Sequence, residues 1–282
     1  MLSIALAAAS GLIWGVGDFA GGKATQHANS LWVAFLSKLV AMPLLAVYLI
    51  ATYAPPVPAS LAWGGIAGVS GMIGLVVFYR ALSAGAMTVV APVTAVTSAA
   101  IPVLVGLSRG EQPTSWQLIG VGCALVAIAL ISLVRPQPGR ASVVTPRLVA
   151  AAVVAGIGFA GFFVFLAVAG QVAGHTSLWP NVASQCSAIV LAGLVIAVRR
   201  PRGRPKGPSL RWTVAAGPFD MTANVLYLLA TRHGPISVVA PLAALYPVST
   251  VILALVVDRE PLRAVQVVGL LLAVLTLVLV NV

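Results

Sequence analysis

Three charged side chains stand inside long apolar stretches of this sequence: Asp18, Lys38 and Asp220. A charge at the centre of a bilayer costs about 2.5–3.5 kcal/mol even on a lenient insertion scale, so each needs a partner or a function. Asp220 lies nine residues beyond Arg211, which places it about 13 Å along a helix that rises about 1.5 Å per residue. Its carboxylate could bind a cationic group or carry a coupling proton. The alternative is a buried hydrogen bond to a neighbouring helix.

Asp220 belongs to a stripe of polar and small residues. Gly217, Asp220, Asn224 and Tyr227 follow each other at spacings of three or four residues, so they share one face of a helix. We expect Asn224 to hydrogen-bond the substrate beside Asp220. Tyr227 could provide an aromatic wall, as could Trp14 in the first apolar stretch.

Polar side chains recur at one place in two apolar stretches. Lys38 has Gln185 as its counterpart 147 residues later, with Asn181 one helical turn before Gln185. Lys38 could attract an anionic group of the substrate, pair with Asp18 or extend its ammonium group to the membrane interface. Asp18 shares a helix face with glycines, so close helix packing explains its surroundings equally well.

The composition places these residues in a membrane. Hydrophobic residues make up 60% of the 282 residues and charged residues 7%, with a mean hydropathy of +1.07. Soluble domains carry about 25% charged residues. The apolar runs are about twenty residues long, which is the length that crosses a bilayer as a helix, and they lack the alternation of membrane strands. The sequence therefore predicts an all-α integral membrane protein in a lipid bilayer.

Ten transmembrane helices are expected between turn-rich segments. Their predicted bounds are Leu2–Gly22, Leu31–Ile50, Leu61–Ala84, Met87–Leu107, Trp116–Val134, Leu148–Gly170, Leu178–Val198, Leu210–Ala230, Ile236–Val257 and Leu262–Val282.

The chain contains one unit twice. Val89–Glu111 reads VVAPVTAVTSAAIPVLVGLSRGE, and Val238–Glu260, 149 residues later, reads VVAPLAALYPVSTVILALVVDRE. The predicted repeats are residues 1–134 and 148–282, joined by a loop at 135–147. Because each repeat has an odd number of spans, five, the second enters the membrane from the opposite side. Two inverted five-helix repeats are the expected architecture.

Prolines interrupt the fourth and ninth spans. Each proline removes one backbone donor and frees a carbonyl, which is tolerable inside protein or beside a watery cavity. Paired broken helices in two halves point to a central binding site. The alternative is a pair of simple kinks that shape the bundle. The expected breaks are Pro92, Pro102, Pro241 and Pro247, with Thr94, Thr97, Ser98 and Tyr246 as the polar residues between them.

The positive charges predict an orientation. Counting Lys and Arg by loop gives thirteen on the odd-numbered connections and two on the even ones. The positive-inside rule therefore places the odd connections in the cytoplasm and both termini outside a plasma or inner membrane. Six of the cations lie in the loop 199–211, where a membrane protein concentrates its positive-inside signal, so the net charge of +11 indicates no nucleic-acid partner.

Several motifs resemble the EamA-type ten-helix members of the drug/metabolite transporter superfamily. They are Leu12-Ile13-Trp14-Gly15, then Tyr79-Arg80-Ala81-Leu82 before the first Val-Val-Ala-Pro, and Tyr227-Leu228-Leu229-Ala230 before the second. The resemblance covers essentially the whole chain. It implies a protein that moves small metabolites or amphipathic compounds, often outward.

Enzyme signatures such as HExxH, G-x-S-x-G and a nucleotide P-loop are missing from the sequence. The sequence therefore predicts no enzyme, no cofactor and no metal site, and transport driven by a gradient or by exchange. We expect a secondary transporter, an exporter or exchanger, whose halves rock around a central cavity. Asp220 is the leading residue for binding the substrate or a coupling proton. The alternative is a membrane accessory or lipid-handling protein without gradient coupling.

Overall fold

The structure is a computed structural model that describes residues 1–52, 54–83, 87–133, 145–173 and 177–282. Within these ranges every regular element is a helix. The predicted ends Ala84 and Val134, and most of the predicted loop 135–147, lie outside the described residues. The helices are α1 (Leu2–Thr25), α2 (Ser30–Thr52), α3 (Pro58–Ser83), α4 (Met87–Ser108), α5 (Ser115–Ile131), α6 (Pro146–Ala173), α7 (Trp179–Arg199), α8 (Pro208–His233), α9 (Ile236–Ala243), α10 (Pro247–Val257) and α11 (Ala264–Leu279).

Seven described segments are long and apolar enough to cross a membrane: α1, α2, α3, α4, α6, α7 and the combined segment Ile236–Val257. Helices α5 and α11 are apolar but shorter, with 17 and 16 residues. Helix α8 has 26 residues but is the least apolar of the long helices, because Asp220 and Asn224 lie in its middle. The prediction of an all-helical membrane protein is confirmed, and the number of ten spans stays a prediction.

The ninth predicted span is two helices rather than one. Residues 244–246 form a turn between α9 and α10, and Pro247 is the first residue of α10, where the missing N–H of proline has no cost. In the first repeat, the position of Pro247 is taken by Ser98.

The expected break of the fourth span is wrong. Helix α4 runs unbroken from Met87 to Ser108 with Pro92 and Pro102 inside it. A proline inside a helix removes a single hydrogen bond, and the turns on either side hold the helix together. The expected break at Pro241 is also wrong, because this proline lies inside α9. In these two spans, which the structure describes in full, the one interruption is that between α9 and α10 in the second repeat.

The odd and even connections that the structure describes lie at opposite ends of the bundle. At one end, Asn29 N–H donates to the carbonyl of Gly203 over 2.8 Å, and Lys23 forms an ion pair with Asp258. We call this the basic end; it includes the connections 26–29, 200–207 and 258–263. At the other end, the indole of Trp179 donates to the backbone at 54 over 2.8 Å. We call this the capped end; it includes the connections 54–57, 109–114 and 234–235.

The packing of helices follows an approximate two-fold axis between the repeats. Helix α3 packs on α6 and α7, and α8 packs on α1 and α2 in the same way. The axis passes between α5 and α11, where Gly120 faces Val280 and Gly269 faces Ile131. These two contacts are exchanged by the 149-residue shift of the repeat. The duplication seen in the sequence is therefore also a symmetry of the fold.

Glycines permit the closest of these contacts. A Cβ on Gly64 or Gly68 would meet the backbone of α7, and one on Gly74 would meet the backbone of α6. The counterpart on α6 is Gly158, whose added Cβ would lie 2.6 Å from the Cα of Gly74. Backbone touches backbone here, so neither side can yield.

Replacing Gly158 with alanine tests this packing. We expect Gly158→Ala to lower the free energy of unfolding by about 1–3 kcal/mol, because the added methyl group overpacks the contact. The matched control is Gly122→Ala, since Gly122 is exposed on α5 with nothing within 4 Å of an added Cβ. It should be neutral or stabilise by up to about 1 kcal/mol. Thermal unfolding of purified protein in detergent measures both, and equal midpoints would contradict the packing.

Candidate functional site: a central cavity open at the basic end

A cavity of about 1040 Å³ lies between the two repeats. It is as large as the larger ligand pockets of proteins, which span about 300–1,000 Å³. Its lining extends from Trp14 and Asn224, in the middle of the bundle, to Thr25, Ser132 and Glu260 at the basic end. No described residue from the connections of the capped end lines it. The cavity is therefore open toward one end of the bundle only.

Glu111 closes the capped end. Its two carboxylate oxygens accept hydrogen bonds from the N–H groups of Ile236 at 2.8 Å and Ser237 at 2.9 Å. These are the first residues of α9, whose N–H groups have no partner within the helix and whose dipole favours a negative charge. Gly106 has no side chain that would displace the Glu111 carboxylate. Glu111 thus joins the end of α4 to the start of α9.

Further contacts seal the same end. The guanidinium of Arg232 donates to the carbonyl of Ser177, and Gly234 lies so close to Ser3 that an added Cβ would stand 2.7 Å from it. Asn181, a predicted site residue, lies near this end and is 2% exposed. It does not line the cavity, and its side-chain nitrogen has no hydrogen-bond partner among the described residues.

Lys38 and Asp220 face each other across the cavity wall. The Lys38 ammonium lies 3.4 Å from a carboxylate oxygen of Asp220 and 3.5 Å from the side-chain oxygen of Gln185. Gln185 donates in return to the Lys38 carbonyl over 3.1 Å. Both charged side chains are partly exposed, at 20% and 33%. The prediction that Lys38 pairs with Asp18 is therefore wrong. The ionic partner of Lys38 is Asp220, because α2 packs on α8.

Asp18 faces the cavity without a partner. Its side chain is exposed and contributes to the lining. Among the described residues, none forms a hydrogen bond or an ion pair with its carboxylate. Helix α1 approaches α8 closely at this point, since a Cβ on Gly17 would lie 3.3 Å from the amide nitrogen of Asp220. The two carboxylates therefore lie on neighbouring helices, and Lys38 neutralises only one of them.

Three other predicted polar residues donate hydrogen bonds to the backbone, Asn224 with one of its two amide hydrogens. Asn224 donates to the carbonyl of Asp220, Thr94 to that of Ala152 and Ser98 to that of Ala95. All three donors line the cavity. Their oxygens can still accept hydrogen bonds from a ligand.

Besides Asn181, several predicted residues do not line the cavity, Gln185 among them. Thr97 does not line it; its side chain packs against Gly156 on α6. Among the predicted helix-breaking prolines, Pro247 lines the cavity and Pro92, Pro102 and Pro241 do not.

The aromatic wall is only partly the predicted one. Trp14 and Tyr246 line the cavity, whereas Tyr227 is fully buried behind Trp14. The Tyr227 hydroxyl donates to the Phe163 carbonyl over 2.8 Å, and its ring centre lies 5.7 Å from that of Trp14. Tyr227 therefore supports the wall from behind.

Sequence reasoning missed the aromatic face of α6. Phe159, Phe162 and Phe163 line the cavity, and Phe163 packs edge-on against Trp14 at 5.5 Å between ring centres. Their spacing of three and four residues would have placed them on one helix face. The signal was hidden because α6 is apolar on every side, so its period does not stand out.

Comparison with known proteins supports the assignment of this fold. The EamA-like transporter family matches the chain twice, over residues 1–133 and 147–282. A solved structure, described only as the crystal structure of a protein, has a TM-score of 0.79 against this chain. The two are 16% identical, and the match covers 99% of this chain and 98% of the other; at that identity the likeness shows a shared fold alone. No curated protein matches the sequence.

The Lys38–Asp220 pair can be tested by a double-mutant cycle. We expect Lys38→Met and Asp220→Asn each to destabilise the fold, because each leaves a charge without its ionic partner in a partly buried site. The double variant should recover part of that loss, with a coupling energy of about 0.5–3 kcal/mol. Thermal unfolding in detergent measures the cycle. Strictly additive effects would mean that the two side chains do not interact.

Proposed function

Because this chain belongs to the EamA-like transporter family, as both of its matched halves show, we propose that it is a secondary transporter that works by alternating access. The resemblance predicted from the motifs is confirmed by this membership. The family consists of membrane transporters, so the lipid bilayer and a small-molecule substrate are its partners. The substrate binds in the central cavity, and each end of the cavity opens in turn.

The observation that carries this proposal is a pair of equivalent glutamates in two different situations. Glu111 follows Gly110, and Glu260 follows Arg259; the preceding residues both have positive φ, of 85° and 56°. Each glutamate thus follows a left-handed residue just after the end of a helix, and the two positions are 149 residues apart. A left-handed φ is uncommon for arginine. Arg259 nevertheless adopts one, so the second repeat keeps this backbone conformation without a glycine.

Among the described residues, partners are found for the carboxylate of Glu111 and not for that of Glu260. Glu111 caps α9, while Glu260 is exposed and lines the mouth of the cavity. The repeat symmetry pairs Ile236 with Met87, so the counterpart of the Glu111 cap is a cap by Glu260 on the first turn of α4. In the opposite state, we propose, Glu260 binds α4 and closes the basic end while Glu111 releases α9.

This exchange would keep the two states close in free energy. A hydrogen bond to a charged group contributes about 1.5–3 kcal/mol, and one such cap would be lost as the other forms. The two caps would not be identical, because Leu255 stands where the first repeat has Gly106. Its side chain would have to turn aside for Glu260 to reach α4.

Buried polar atoms at the capped end support the same motion. The side-chain oxygens of Ser177 and Ser237 and the side-chain nitrogen of Asn181 are buried without a hydrogen-bond partner among the described residues. Each such atom costs about 1–3 kcal/mol. Opening of this end would give them water, which lowers the free energy of the opposite state.

The charge of the loops sets the direction. With thirteen cations on the odd connections and two on the even ones, the basic end would face the cytoplasm. The cavity open at that end would then load from the cytoplasm, as an exporter or exchanger does. Both termini would lie outside.

Coupling is assigned to the pair of Asp220 and Lys38. Protonation of Asp220 would cancel its attraction for Lys38, which joins α8 of one repeat to α2 of the other across 3.4 Å. A proton gradient could therefore change the contact between the repeats. Asp220 remains the leading coupling residue, now with a named partner.

Matched variants of the two glutamates test alternating access. In a background without Cys123 and Cys186, a reporter Ser177→Cys at the capped end should react slowly with an impermeant thiol reagent added outside cells. Glu111→Gln weakens the cap of the state described and should speed labelling, by about tenfold for each 1.4 kcal/mol lost. Glu260→Gln weakens only the opposite state and should slow labelling.

The direction of the two responses decides the outcome. If both substitutions change the labelling of Ser177→Cys in the same direction, or if neither changes it, the two glutamates do not act in opposite states. Labelling of a reporter Ser132→Cys at the basic end, in inside-out vesicles, provides the reciprocal measurement. There, the two substitutions should have the reverse effects.

A further inference from the structure

We infer that the ligand of this cavity is an amphipathic monocation, an apolar or aromatic body with one quaternary or protonated amine, and that Asp18 binds its charge. The inference rests on the proposed function, since it names the class of compound transported. It does not depend on which end of the cavity opens to the cytoplasm. It follows from the charges and the walls of the cavity.

The deep part of the cavity has one uncompensated charge. Among the described residues that line it, the charged side chains are two carboxylates, Asp18 and Asp220, and one ammonium group, Lys38. Lys38 is held by Asp220 at 3.4 Å. Asp18 has no hydrogen bond or ion pair among the described residues, so with these groups ionised a single negative charge is left for the ligand to neutralise.

The position of Asp18 makes a counter-charge necessary. It lies seven residues before the end of α1 at Thr25, so it stands about 10 Å inside the helix bundle at about 1.5 Å per residue. A bound apolar ligand would displace the water that solvates the carboxylate. The ligand must then bring its own positive charge, because an unpaired charge is not tolerated away from water.

An anionic ligand does not fit the same charges. It would have to approach two carboxylates and would find the one deep ammonium already bound by Asp220 and Gln185. Binding an anion at Lys38 would release Asp220 beside Asp18 on the neighbouring helix, and two unpaired like charges would face each other. The arrangement therefore discriminates by the sign of the charge.

The walls suit the apolar body of such a ligand. Aromatic rings from three helices, α1, α3 and α6, and from the turn before α10 line the cavity. Ring faces attract cations when water is excluded, and recognition of quaternary ammonium groups uses such rings. The rings that line it include Trp14, Tyr79, Phe159, Phe162, Phe163 and Tyr246.

Equilibrium binding to the purified protein tests the inference without any transport. The probe is radiolabelled tetraphenylphosphonium, and its control is tetraphenylborate, an anion of the same shape. We expect saturable binding of the cation and none of the anion. Asp18→Asn should weaken binding of the cation by at least about tenfold, because it removes the charge and keeps the shape.

Two further variants separate charge from fold. Asp18→Glu keeps the carboxylate and should bind the cation within a few-fold of the native protein. Asp258→Asn removes a carboxylate that is paired with Lys23 outside the cavity, and should leave binding unchanged. If Asp18→Asn does not fold, two measurements still test the inference. They are the comparison of cation with anion on the native protein and the binding of the cation by Asp18→Glu.

Equal binding of the cation and the anion, or full binding by folded Asp18→Asn, would overturn the inference. The responses of Glu111→Gln and Glu260→Gln need no ligand, so they would stand if this inference failed. Conversely, saturable binding of the cation at Asp18 would stand if those two variants showed no opposed effects. The two failures are thus distinguishable.

Discussion

The two hydrogen bonds from the first amides of α9 to Glu111 hold the described state of this transporter together. They end the cavity on one side, because α9 cannot move away from the end of α4 while its N-terminus is capped. The turn at 244–246 makes α9 an element of only eight residues, separate from α10. A short helix held by one carboxylate can be released without disturbing the long helices around it.

On the proposed mechanism, the duplication of the sequence is the reason to expect a second cap, formed by Glu260 in the opposite state. In both repeats a residue with a left-handed φ precedes the glutamate, Gly110 at 85° and Arg259 at 56°, and the helix that follows begins in the same way. Thr114 N–H donates to Gln117 and Arg263 N–H donates to Gln266, at 3.0 and 3.1 Å. The local structures are alike, but of the two glutamates only Glu111 accepts hydrogen bonds on its carboxylate from described residues. In a conformation with one end closed and the other open, the two repeats must differ even though their sequences are related.

The sequence predicts the helices well because length and apolar composition are local properties. It could not identify partners, which depend on how each helix is rotated. Lys38 was a candidate partner of Asp18 and pairs with Asp220; Tyr227 was a candidate wall and lies behind Trp14. The prolines show the same limit, since Pro92 and Pro102 are absorbed by a continuous α4. Their effect depends on the packing of neighbouring turns.

Alternating access is tested most directly by distances between spin labels at the two ends of the bundle in liposomes. One pair of labels, at Arg109 and His233, spans the capped end, and a second, at Arg147 and Arg259, spans the basic end; all four positions are exposed. The account predicts two populations, with a long distance at one end always accompanied by a short distance at the other. Distances that stay fixed, or that lengthen at both ends together, would contradict it.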